Sequence, residues 1–178
     1  SDTDSFHCRH DLIPGSPFVV NALQAAQDGG INAHGMRIDA IEAMESVDHP
    51  SGHPDQNAMY QFEMDGITVA HMGDVGNPLS ETQTRFLQNV DVLLALAGGH
   101  PTIELVDLKA VIDKVNPKLV IPMHFQTLTY KPRNIHWLPA FLSYFADDQI
   151  DFVCSYETGL TLEQLPSQTR ILVMDHAR

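Results

Sequence analysis

Basic side chains are scarce in this chain. Its 178 residues hold ten Lys and Arg against 23 Asp and Glu, a formal charge of −13 with neutral histidines. Even with every histidine protonated the balance stays negative. Nucleic acid and anionic membranes both select a cationic footprint, so neither is expected as a partner. Cysteine is nearly absent. Cys8 and Cys154 are the whole complement and build no disulfide framework, which points to a reducing, cytoplasmic compartment. Long apolar runs are missing as well: the longest, Val90 to Ala97, is interrupted by Asp91 and closed by Gly98-Gly99. A membrane span needs roughly 18 apolar residues. The first ten residues are polar and acidic, so no secretory leader is expected. There is no internal repeat, low-complexity tract or dividing linker. With 43% apolar and 19% charged residues, the composition is that of one globular domain, residues 1–178, with a sizeable core.

What the chain does have is histidine, ten of them, as many as Lys and Arg together. Their placement follows from the local patterns. Residues 1–16 are polar and loop-like, ending in the Pro14-Gly15 turn, and Phe18 to Val20 read as a short strand. A turn at Asp28-Gly29-Gly30 leads to Met36–Ala40, whose alternation predicts a half-buried strand. Pro50, Gly52 and Pro54 put His49 and His53 on a loop. Tyr60, Phe62 and Met64 alternate with polar residues, Asp65-Gly66 makes a two-residue hairpin turn, and Ile67–Ala70 returns. Ser80-Glu81-Thr82-Gln83 is a capping box that opens a helix. Val92 to Ala97 is a buried strand, Leu105 to Val115 a helix stopped by Asn116-Pro117, and Leu119–Ile121 a further buried strand. A helix near Trp137–Phe145 and strands at Ile150–Cys154 and Ile171–Met174 complete an α/β domain.

Three of these strands run out in potential metal ligands: Asp74, His100 and His124. Side chains just past the carboxyl ends of neighbouring strands share one rim of the sheet, the usual place for an α/β site. His7, His10, His49 and His53 lie on segments able to close over that rim. Imidazole and carboxylate are the ligands that borderline metals take. Asp74 follows a buried strand between Gly73 and Gly76, where a carboxylate needs a cation or several donors beside it. Other histidines have simpler readings. His34 and His176 read as solvated, His136 as part of a helix start beside Trp137, and His71 as a structural hydrogen-bonding residue. Cys8 is either a thiolate ligand or an idle thiol. Gly98-Gly99 is either an anion-binding turn or simply a tight one.

Taken in order, three segments resemble a family: His71-Met72-Gly73-Asp74-Val75-Gly76, Val90-Asp91-Val92-Leu93-Leu94 with Gly98-Gly99, and Asn116-Pro117-Lys118-Leu119-Val120-Ile121-Pro122-Met123-His124. The chain resembles the metallo-β-lactamase-fold hydrolases over about residues 7–175, in the branch around ascorbate-6-phosphate lactonase-like and Zn-dependent hydrolases. The resemblance implies an αββα sandwich in which short motifs at one sheet edge bind one or two metal ions. By position it makes Asp74 the bridging aspartate, His124 the last histidine ligand, His49 the isolated middle histidine and His7 the final histidine of the first motif. It also places His100 and Thr102, in the loop Gly98–Thr102, along the substrate cleft.

The first motif departs from the family. A His-x-His-x-Asp-His signature followed by Pro-Gly-x-Pro is expected. Pro14-Gly15-Ser16-Pro17 is present, but the positions ahead of His7 are Asp2, Asp4 and Phe6. The strands that would precede this motif and build the first sheet are missing. Either the sequence is a fragment of a longer protein, or its lineage has lost the first half-site. A site of His7, Asp74 and His124, with or without Asp4, can still hold one divalent metal. Zinc is foremost, and added oxygen ligands favour manganese, iron or magnesium. The missing strands leave a sheet edge that an added segment or a homo-oligomer must cover.

The function implied is that of a metal-dependent hydrolase. Asp74 would ligate the metal and orient a water against a small-molecule ester, lactone or phosphoester. The alternative is a non-catalytic or metal-impaired member that uses the cleft as a binding or scaffold module.

Overall fold

The computed structural model describes residues 10–45, 57–131 and 134–175. His7 and His49, the two ligands assigned by position outside the strands, fall outside the described residues, as do Asp2, Asp4, Phe6, Cys8, His53 and His176.

In chain order the elements are α1 (Ala22–Gln27), β1 (Ile31–Ala33), β2 (Met36–Ala43), β3 (Asn57–Met64), β4 (Ile67–His71), α2 (Glu81–Phe86) and β5 (Val92–Leu96). There follow α3 (Leu105–Val115), β6 (Leu119–Met123), α4 (Leu138–Leu142), β7 (Ile150–Phe152) and β8 (Arg170–Val173). Local chemistry accounts for most of them. Asp65 and Gly66 both take positive φ, 50° and 78°, the mirror-image turn whose twist matches a hairpin. Ser80 Oγ accepts the Gln83 amide at 3.2 Å while Gln83 Oε1 accepts the Ser80 amide at 2.9 Å, closing the capping box of α2. Asn116 ends α3 in the left-handed region at φ 54°, just before Pro117.

One expectation fails here. Phe18–Val20 is not a strand: with Phe18 and Val19 exposed and Val20 half-buried, it leads into α1, a helix the sequence pattern does not predict. Asn21 caps that helix by accepting the Leu23 and Gln24 amides at 2.9 and 3.2 Å. An apolar triplet has no strand preference of its own without a neighbouring ladder, and the capping side chain decides the local conformation.

The eight strands form one sheet in the order β1-β2-β3-β4-β5-β6-β8-β7. β1 to β4 pair antiparallel; β4, β5, β6, β8 and β7 pair parallel. One face carries Met59, Ala70, Leu93, Ala95, Val120 and Ile171 and packs on apolar residues of α2, α3 and α4. The alternate residues Val92 and Leu119, with half-buried Val69, Leu94, Ile121 and Leu172, form a smaller cluster on the opposite face. A parallel sheet is normally covered on both faces. Among the described residues there is a single β layer with α2, α3 and α4 on one face, so one half of the expected sandwich is seen and no second sheet. No described helix is long and apolar enough to cross a membrane.

Candidate metal centre

Because β4, β5 and β6 run parallel, their carboxyl ends open on one rim. Asp74 lies three residues past β4, the Gly98–Thr102 loop follows β5, and His124 directly follows β6. His124 takes φ 54°, leaving the strand direction abruptly. Its Nε2 lies 3.7 Å from Asp74 Oδ1, with the two side chains 24% and 16% exposed. That separation is too long for a hydrogen bond, so a carboxylate oxygen and an imidazole nitrogen face each other across a narrow gap. His124 Nδ1 is buried and has no hydrogen-bond partner among the described residues.

The turn that carries Asp74 is held from both sides. The Gly73 amide donates to His71 Nδ1 at 2.8 Å, and the next amide, that of Asp74, donates to Asn57 Oδ1 at 2.8 Å. Gly73 sits at φ +64°, and a Cβ there would come within 2.5 Å of both the Ala58 carbonyl and Asn57 Oδ1. His71 stacks on Tyr60, ring centroids 5.1 Å apart and planes 6° from parallel. Burial holds the His71 pKa below its ordinary value, with the nearby Asp74 charge acting in the opposite sense. An imidazole kept neutral, with Nδ1 accepting, is the form the turn requires. His71 thus has the structural hydrogen-bonding role expected of it.

The loop after β5 is laced to its neighbours by backbone bonds. Ala97 donates to the Met123 carbonyl at 2.8 Å, Ile103 to that of Val75 at 2.8 Å, and His136 to that of Gly98 at 2.8 Å. Any side chain at Gly98 would overlap the His124 carbonyl and Ile135. Gly98 therefore serves close backbone approach, as a tight turn requires. Thr102 is buried, 2% exposed, and its hydroxyl donates to the Gly99 carbonyl at 2.8 Å, inside its own loop. His100 stands exposed at the loop's tip, next to a cis bond to Pro101. His136 is exposed, and its carbonyl accepts the Gln126 amide at 2.9 Å just ahead of α4.

The structure thus brings Asp74 and His124 together and sets His100 on a loop of the same rim. Among the described residues no group of three or more His, Cys, Asp and Glu is placed to hold a metal. The pair is a two-donor set whose chemistry, one carboxylate and one imidazole, suits a borderline divalent ion. Sequence reasoning overlooked Asn57. Its signal was there in the hairpin: with Tyr60 paired to His71, the same register sets Asn57 opposite Asp74.

A sequence profile of the beta-lactamase superfamily domain matches residues 1–124, and the chain belongs to that family. Its relatives include a UPF0173 metal-dependent hydrolase of Pyrococcus furiosus, 24% identical over 120 residues, covering 62% of this chain and 52% of the relative. Another, from Anaeromyxobacter dehalogenans, is 35% identical over 81 residues, covering 43% of this chain and 29% of the relative. Among solved structures, a Thermotoga maritima protein assigned to the Zn-dependent hydrolases of the metallo-beta-lactamase superfamily superposes with a TM-score of 0.64 at 32% identity. That match covers 82% of this chain and 68% of the other. The chain spans about half the length, or less, of these curated relatives.

Proposed function

We propose that this chain carries the metal-binding rim of a metal-dependent hydrolase acting on a small-molecule substrate. The observation that supports this most is the approach of Asp74 Oδ1 and His124 Nε2 to 3.7 Å at the carboxyl ends of β4 and β6. Two separate strands deliver a carboxylate and an imidazole to one point, and His124 Nδ1 lies buried without a partner among the described residues. The names borne by the relatives support the same reading.

The residues fit a divalent ion, zinc foremost, with manganese or iron as alternatives. Such an ion, when bound, would supply a Lewis acid and a water that ionises at about pH 7. Asp74 and His124 would hold it, and His7 and His49 would complete the ligand set. The Asp74 carboxylate would also accept a hydrogen bond from the attacking water and so orient it. His100, exposed on the loop after β5, would contact the substrate, whose reacting bond would be a lactone, another ester or a phosphoester.

Elemental analysis of the purified chain tests the reading. Wild-type protein is expected to retain zinc or manganese at roughly stoichiometric level, and Asp74→Ala and His124→Ala each to lose it. Less than about a tenth of an equivalent in wild-type protein after incubation with either metal overturns the hydrolase reading and leaves a non-catalytic family member.

A further inference from the structure

Asn57 is fully buried at the first position of β3. Its Oδ1 accepts the Asp74 amide at 2.8 Å. Its Nδ2 is buried and donates to nothing among the described residues. Exchanging the two ends of the carboxamide would set two donors against each other, so the orientation follows from the Asp74 amide. The contact that fixes the group is the one its oxygen makes with the Asp74 amide.

Gly73 makes the same point from the other strand. With a Cβ placed 2.5 Å from Asn57 Oδ1, no other residue at 73 would let the carboxamide pass to the amide beyond.

We infer that Asn57 is the positioning residue of the metal centre: by holding the Asp74 backbone amide it sets the Asp74 carboxylate against His124. The inference rests on the metal-dependent reading for its function and on the hydrogen bond for its geometry, so two separate readouts are needed. One is hydrogen exchange of the Asp74 amide by NMR. The other is zinc affinity by competition with a chelator, both on the full chain.

In Asn57→Ala, exchange at Asp74 should speed by about tenfold or more relative to the β3–β4 ladder, and zinc affinity should fall by about tenfold to a hundredfold. Asn57→Asp keeps the acceptor oxygen, and its buried carboxyl can stay protonated. It should hold both quantities within about threefold of wild type. Unchanged Asp74 exchange in Asn57→Ala overturns the inference. So does an equal loss of zinc affinity in both variants, which would mark a packing role. If Asn57→Ala does not fold, rapid Asp74 exchange in folded Asn57→Asp overturns it, and retained protection supports it. If wild-type protein binds no zinc, the proposed function fails, while the exchange measurement still decides whether Asn57 holds Asp74.

Discussion

Asp74 owes its position to its neighbours more than to its own chemistry. Gly73 supplies the left-handed backbone, His71 and Asn57 take the two successive amides, and the stack on Tyr60 keeps the His71 ring in place. Gly73→Ala attacks all of this at once. A non-glycine residue at φ +64° is strained by about 1–3 kcal/mol before the overlap with Ala58 and Asn57 is added. The expected outcome is a fall in thermal midpoint of about 5 °C or more by calorimetry, together with loss of bound metal. A variant as stable as wild type would mean that the turn relaxes freely and that the clamp on Asp74 is weak. Identity of the candidate ligands was legible in the sequence, because Asp74 and His124 each end a recognisable buried strand. The clamp was not, because Asn57 looks like any polar residue until the hairpin register places it.

The opposite rim, where β5 and β6 begin, is held by Asp91. Its carboxylate accepts the Thr68 amide at 2.9 Å and pairs with Lys118 at 2.8 Å, tying together the strands on either side. Burial pushes its pKa up, but the Lys118 hydrogen bond, the Thr68 amide and the Lys118 charge outweigh this and hold it below the ordinary value. A carboxyl with a depressed folded-state pKa contributes stability that is complete above the unfolded value of about 3.9 and is lost as pH falls through the folded one. Asp91→Asn should therefore be destabilised by about 1 kcal/mol at neutral pH, and the gap to wild type should close as pH falls below about 4. Denaturant titrations across that range check it; a gap constant with pH would show that the charge contributes nothing. The elements themselves, the hairpin, the capped α2 and the amphipathic α3, were readable because each is set by residues a few positions apart. Phe18–Val20 was misread because a strand exists only with a partner.

The acidic excess acts on the whole molecule. A net charge of −13 repels itself more strongly in the compact state than in the unfolded chain. Raising ionic strength from about 0.01 M to about 0.15 M shortens the screening length from roughly 30 Å to roughly 8 Å. The thermal midpoint of the metal-free protein should rise across that range in a salt series. A falling midpoint would mean that local pairs such as Lys118–Asp91, Arg170–Asp151 and Lys109–Asp113 outweigh the general repulsion. Composition, strand and helix periodicity and the rim positions of Asp74, His100 and His124 were settled by the sequence alone, since each depends on short-range patterns and on the rule that parallel strands end together. The 3.7 Å approach of Asp74 to His124 and the packing of Gly98 on the His124 carbonyl came only with the folded chain. Those contacts join segments far apart in sequence, and the order of the parallel strands, which no local pattern encodes, determines which side chains finally meet.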